Sequence, residues 1–134
     1  MGKISQLFFN WGPAVCWMIV IFILSSRQRM TLAPEYLVNF LIFKTLHMIE
    51  YAILYFLLFR GFFLSRRSGK VDRNTFLTPF IIAILYAISD EIHQTFVPTR
   101  EGAIRDVFID SLGIFFMYTF IKSRIKIIRK IFNS

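Results

Sequence analysis

The stretch ISQLFFNWGPAVCWMIVIFILSS, residues 4–26, carries no charged side chain. A bilayer core about 30 Å thick is spanned by about 20 apolar residues in a helix. The stretch is long enough to cross, and it sets the class of the whole chain. Lys3 in front of it gives it the look of a secretory signal. The apolar run is too long for one, however, and no small-x-small cleavage pattern follows. It is read as a retained helix. The rest of the composition agrees. Of 134 residues, 56% are hydrophobic and 18% are charged, against about 45–50% and about 25% in soluble domains. Mean hydropathy is +0.59. A disordered chain needs far fewer apolar residues. An ordinary nucleic-acid-binding domain sets its cations in a polar background, so no nucleic-acid partner is expected. One domain spanning 1–134 is the default at this length. Cys16 lies inside the first segment and reads as a small buried apolar residue.

Working outward, three more apolar segments follow, at about 36–64, 75–96 and 104–121. Each is interrupted by charge near one end: Lys44, His47 and Glu50 in the second, Asp90 and Glu91 in the third, Asp106 and Asp110 in the fourth. The expected architecture is all-α, an integral membrane four-helix bundle. The chain from 27 to about 43 is read as an outer segment with an interfacial piece. FVPTREG, residues 96–102, is the short turn between helices three and four, with Pro98 and Gly102 as its punctuation.

The net charge of +8 comes from 16 Lys and Arg against 8 Asp and Glu. With four helices, Lys3, the loop RGFFLSRRSGKVDRN at 60–74 and the tail after residue 121 share one side. Together they hold eleven of the cations. Cytoplasmic loops carry the Lys and Arg excess, so both termini are predicted to be cytoplasmic. The tail cations, Lys122 to Lys130, suit anionic lipid head groups, as almost any such tail does. Asp72 is the only carboxylate on that side. The others lie towards the opposite leaflet, on helix ends or outer loops.

Helical spacing groups them. Lys44, His47 and Tyr51 share a face of the second helix, at i, i+3 and i+7. Asp90 and Gln94 share a face of the third with His93, and Glu91 flanks them. Asp106, Asp110 and Gly113 share a face of the fourth, where Gly113 admits close approach of a neighbouring helix. Intramembrane charges cost about 2.5–3.5 kcal/mol each at a helix centre and normally turn inward to pair. The three faces are expected to converge on one pocket facing the extracytoplasmic side. A purely structural ion network, with Lys44, Arg100 and Arg105 pairing the carboxylates, is the plainer alternative.

The run SDEIHQTFVPTREGAIRDVFIDSLG, residues 89–113, resembles the signature of VanZ-like membrane proteins: Asp-Glu, a nearby Gln, a Pro-x-Arg turn, then Asp and a polar residue one turn later. Here these are Asp90, Glu91, Gln94, Pro98, Arg100, Asp106 and Asp110. KTLHMIEYAIL, residues 44–54, resembles the second-helix motif through Lys44, His47, Glu50 and Tyr51, and Ser25 and Ser26 fit the close of the first helix. The chain departs from the pattern at Asp110, where Asn is common, and at Thr99, where Gly is common. The resemblance implies a multi-pass protein of the bacterial cell membrane, in a family associated with teicoplanin resistance and grouped with lipid-head-group enzymes.

Two functions compete. The first is an enzyme cleaving or exchanging the phosphoester of a lipid-linked head group. His47 or Glu91 would be its general base, and Asp90 would join them in the catalytic set. Lys44, Tyr51, Gln94, Arg100, Asp106 and Asp110 would form the substrate site, and a divalent cation, Mg or Ca, could be held by the carboxylates. The second is a non-catalytic binder of lipid-linked envelope precursors or glycopeptide lipid tails. Transport through an Asp/Glu/His relay and a zinc site from His47 and His93 are weaker readings. Membrane lipids or a lipid-linked envelope precursor are the expected partners.

Overall fold

A computed structural model describes residues 2–28, 34–66 and 71–132. It contains four helices, α1 (Lys3–Ser25), α2 (Tyr36–Leu64), α3 (Arg73–Gln94) and α4 (Ile104–Phe132), and no strand among the described residues. The four-helix bundle is therefore as expected. Arg67 and Lys70, counted among the loop cations, fall outside the described residues, as does Arg29. So does part of the segment between α1 and α2, and residues 36–43, expected in an outer segment, are the first two turns of α2.

Two boundaries differ for physical reasons. Helix α3 starts at Arg73 rather than at 75, because Asp72 caps it. The Asp72 carboxylate accepts the Thr75 N–H at 2.8 Å while the Thr75 hydroxyl oxygen accepts the Asp72 N–H at 3.2 Å, a reciprocal capping box. Helix α4 continues to Phe132 rather than stopping at 121. Its basic tail still places Ile121, Ile125, Ile128 and Phe132 one turn apart on a single face. That face packs against α2, with the Phe132 ring 6.2 Å from Phe56 and 5.4 Å from Phe63. Helices α1, α2 and α3 are long and apolar enough to cross a membrane. Helix α4 is less apolar, with Asp106 and Asp110 at its start and the basic run at its end.

The helices alternate in direction. Trp11 near the start of α1 donates to Ser65 after α2 at 3.1 Å, and Ser25 at the end of α1 donates to Asp90 near the end of α3 at 2.8 Å. Helices α1 and α3 therefore run together, and α2 and α4 run together the other way. The α2–α4 pair makes the most extensive contact in the bundle. Its tightest point is Gly113, where a Cβ would sit 1.9 Å from the Met48 carbonyl oxygen. The core is aromatic and aliphatic, with Tyr51, Leu54, Tyr55, Phe59, Ile114 and Ile121 fully buried. Every helix also exposes large apolar side chains, such as Phe8, Ile19, Leu41, Leu85 and Phe116, the reverse of a water-facing surface and the expected one in lipid. Cys16, expected to be buried, is exposed on this outer surface of α1 instead.

Proline explains one contact. Pro13 lies inside α1 and has no N–H for the Phe9 carbonyl four residues earlier. The Arg60 guanidinium of α2 donates to that carbonyl at 3.0 Å and lies over the Phe9 ring. A basic side chain near the end of α2 thus completes the hydrogen bonding of α1.

Candidate functional site

At the end opposite Arg60, the polar faces of the helices meet. Ser25, His47, Asp90, Glu91, Gln94, Asp106 and Asp110 are all buried there, and Asp110 is only 1% exposed. Two connected groups make up the layer.

The first joins α1, α3 and the turn before α4. The Asp90 carboxylate accepts from Ser25 at 2.8 Å and from the Gln94 amide at 3.0 Å. Glu91 accepts the Ala103 N–H at 3.0 Å, which ties the start of α4 to α3. Arg100 donates to the Gln94 side-chain oxygen at 3.3 Å, and also to the carbonyls of Arg27 at 2.8 Å and Leu24 at 3.2 Å. A cation on the last carbonyls of a helix is favourable for both hydrogen bonding and the helix dipole. Arg100 thus caps α1 from the opposite turn, and it orients Gln94 so that the amide nitrogen faces the carboxylates. The turn itself is tight. Thr99 has a left-handed φ of 68°, disfavoured for a β-branched residue, at the position where the resemblance expects Gly. A Cβ at Gly102 would meet the Glu91 carbonyl oxygen at 2.2 Å.

The second group joins α2 and α4. Lys44 pairs with Asp106. Arg105 reaches the other oxygen of the same carboxylate through Nε at 3.3 Å. Both cations lie near the Phe40 ring, Lys44 at 5.8 Å and Arg105 at 4.9 Å. The Arg105 side chain is 64% exposed and that of Lys44 18%, so this is the mouth of the layer. One helical turn deeper on both helices, His47 Nδ1 lies 3.7 Å from Glu50 and 4.0 Å from Asp110. Both distances are beyond hydrogen-bond length.

Five buried side-chain atoms among the described residues make no hydrogen bond of ordinary geometry: His47 Nδ1, Glu50 Oε2, Tyr51 Oη, Asp90 Oδ1 and Asp110 Oδ2. Each such group costs about 1–3 kcal/mol. All five fall in this one layer, where Tyr51 Oη lies beside Asp90. Among the described residues the other buried side-chain polar atoms are satisfied, with Trp17 donating to the Glu50 carbonyl at 2.9 Å and Tyr86 to the Met18 carbonyl at 2.6 Å.

The structure brings together Lys44, His47, Tyr51, Asp90, Glu91, Gln94, Asp106 and Asp110, with Arg100 linked through Gln94. It turns His93 away: that ring packs at a tilt against Phe22, with centroids 4.5 Å apart, and meets the Ser26 hydroxyl at 3.0 Å. Among the described residues no three His, Cys, Asp or Glu side chains are grouped so as to hold a metal ion. Asp90, Glu91 and Asp106 are engaged by Ser25 and Gln94, by Ala103 and by Lys44. With His93 turned away, the arrangement does not fit a zinc pair of histidines. Ser25 and Glu50, which the sequence places in the family's motifs but not among the candidate site residues, join the layer, and so do Phe40 and Arg105 at its mouth. The available signals were a pair of hydroxyls closing a charge-free helix, a carboxylate three residues after His47, and a cation adjacent to Asp106.

No curated protein and no solved structure matches the chain. The family model VanZ/LLP1 matches residues 9–129, from within α1 to the last turn of α4, and so takes in every residue of the layer. The chain belongs to the VanZ/LLP1 family.

Proposed function

We propose that this protein acts at the extracytoplasmic face of the cell membrane on a lipid-linked phosphate or head group of the envelope, by phosphoester cleavage or head-group exchange. The carrying observation is the junction between a cationic mouth, Lys44 and Arg105 beside Phe40, and an imidazole flanked by two carboxylates one turn deeper. The mouth suits non-bridging phosphate oxygens, while lipid chains stay in the bilayer. The side follows from the eleven cations predicted for the other end.

In this reading neutral His47 accepts the proton of an attacking water, or of the hydroxyl of an incoming head group, as that oxygen bonds to phosphorus. The phosphorus–oxygen bond to the leaving alcohol breaks, and the imidazolium returns its proton to that oxygen. Glu50 and Asp110, 3.7 and 4.0 Å from His47 Nδ1, stabilise the imidazolium by their charge. Glu91 and Asp90, engaged with Ala103, Ser25 and Gln94, hold α1, α3 and the turn around the site, so the base is assigned to His47 rather than Glu91. A positioned general base contributes about 10²- to 10⁴-fold. Purified protein in proteoliposomes with lipid-linked phosphates tests this. His47→Ala should lose about 100-fold or more in kcat with its unfolding transition retained. Unchanged turnover would sink the catalytic assignment.

Non-catalytic capture of a lipid-linked precursor or a glycopeptide lipid tail, with a link to teicoplanin resistance, is the second reading. It is favoured by the engagement of Asp90 and Glu91 within the protein. It expects lipid binding that survives His47→Ala and is lost in Lys44→Gln, with no turnover in either the parent protein or the variants.

A further inference from the structure

The opposite end of the bundle is almost wholly cationic. Among the described residues it holds Lys3, Arg60, Arg66, Arg73, Lys122, Arg124, Lys126, Arg129 and Lys130, against the single carboxylate of Asp72. That carboxylate is already committed. It pairs with Arg66 at 2.5 Å and accepts both Thr75 donors. These contacts, the Arg66 guanidinium first, hold its carboxyl well below the usual carboxylate range. A surface pocket of about 490 Å³ lies between α3 and α4, with Val71, Asp72 itself, Arg73, Phe76, Leu77, Tyr118 and Lys122 in its wall.

The wall is built. The Tyr118 ring is wedged among Tyr55, Phe76 and Phe80 at centroid distances of 6.2, 6.0 and 5.7 Å. Its hydroxyl accepts from Lys122 at 3.3 Å, and the ammonium lies 5.5 Å from the ring. Tyr118 thus fixes the direction of Lys122. No ion pair to Asp or Glu is formed by Lys122 or Arg73 among the described residues. Two cations at the rim and an aromatic, aliphatic wall beneath match a phosphate head group with chains attached. Lys122 lies sixteen residues along α4 from Asp106, about 24 Å at 1.5 Å per residue, so this pocket is separate from the layer at the other end.

We propose that the α3–α4 groove at the basic end is a binding site for one anionic phospholipid, its phosphate between Lys122 and Arg73 and its first chain carbons on Phe76, Leu77 and Tyr118. The site is independent of any chemistry at the His47 layer. It does more than the diffuse attraction of a basic tail, because it takes two particular cations beside a shaped wall.

Native mass spectrometry tests this on the full chain, purified from membranes containing equal phosphatidylglycerol and phosphatidylcholine of matched chain length. The parent protein should keep phosphatidylglycerol in preference. Arg73→Gln/Lys122→Gln should lower the tightly held phosphatidylglycerol by one molecule per chain, with about tenfold weaker retention. Lys126→Gln/Arg129→Gln removes the same charge from α4 one and two turns past Lys122, outside the pocket wall, and should change retention by less than about twofold. Equal losses in the two double variants would reduce the site to bulk charge and overturn the proposal. So would unchanged retention in Arg73→Gln/Lys122→Gln, or equal retention of phosphatidylcholine by the parent protein. Phe76→Ala supplies a second variant: at full cationic charge it should weaken retention by shortening the wall, and no change would remove the groove from the site.

Discussion

The α2–α4 pair has two ends that handle charge in opposite ways, though the same two parallel helices build both. At one end Gly113 lets the helix backbones touch, and the charges beside it are buried or half-buried and face one another: Lys44 with Asp106, and His47 between Glu50 and Asp110. At the other end the contact is made by bulky rings, Phe56 and Phe63 against Phe132, and the cations point outward. Exposed interfacial cations cost little and orient the protein in its membrane. Buried mixed charge is costly and needs close, specific packing to be kept. The net charge therefore reports one end, and the candidate site is at the other.

The largest expected effect comes from the packing contrast itself. A Cβ at Gly113 would stand 1.9 Å from a backbone oxygen of Met48, which cannot swing aside. A Cβ at Gly61, nearer the basic end, would stand 3.1 Å from a Trp11 ring carbon and 3.2 Å from the Asn10 carbonyl oxygen. Overpacking costs about 1–3 kcal/mol where neighbours adjust, and more where they do not. Gly113→Ala should cost about 3 kcal/mol or more in denaturant unfolding in detergent, and Gly61→Ala about 1 kcal/mol. Equal costs would mean that the two ends are equally tolerant, and would remove the special packing of the polar layer.

The next effect separates the roles of charge within that layer. Asp106 occupies both mouth cations, so a bound phosphate must compete with it. Asp106→Asn should tighten binding of a lipid phosphate about tenfold, while Lys44→Gln should weaken it by a similar factor. Isothermal titration with a short-chain lipid phosphate reads both. Asp106→Asn removes one partner of a mostly buried pair and should lower stability, so affinity and the unfolding transition should move in opposite directions. Weaker binding in Asp106→Asn would assign Asp106 to the ligand instead.

These contacts divide into those legible in the sequence and those that were not. Helix geometry is local, so the shared faces of Lys44, His47 and Tyr51 and of Asp106, Asp110 and Gly113 followed from spacing alone, and Gly113 was placed correctly as a close-approach point. Links between distant segments carry no such period. The ties from Ser25 to Asp90 and from Arg100 to the α1 carbonyls span 65 to 76 residues. Arg105 was read from its neighbours as a loop or pairing charge, and nothing in the spacing placed it over Phe40 beside Lys44. The extension of α4 was hidden differently. Lys122, Arg124, Lys126, Arg129 and Lys130 mark a polar tail by composition, while the apolar face through Ile121, Ile125, Ile128 and Phe132 continues unbroken beneath them.

The smallest effect tests whether a cation at the basic end can be as specifically held as Lys44 is at the other. Arg60 satisfies a backbone carbonyl, at Phe9, that Pro13 deprives of its helical partner. Arg60→Met in the parent protein should cost about 1–2 kcal/mol, the worth of a hydrogen bond from a charged donor. In a Pro13→Ala background the residue at 13 has an N–H and can close the ordinary helical bond to Phe9, so the same substitution should cost less than half as much. The coupling in this double-mutant cycle should therefore exceed about 0.5 kcal/mol. Additivity to within about 0.3 kcal/mol would show that Arg60 acts only through its place over the Phe9 ring and its charge. It would then stand with the outward cations rather than as an exception among them.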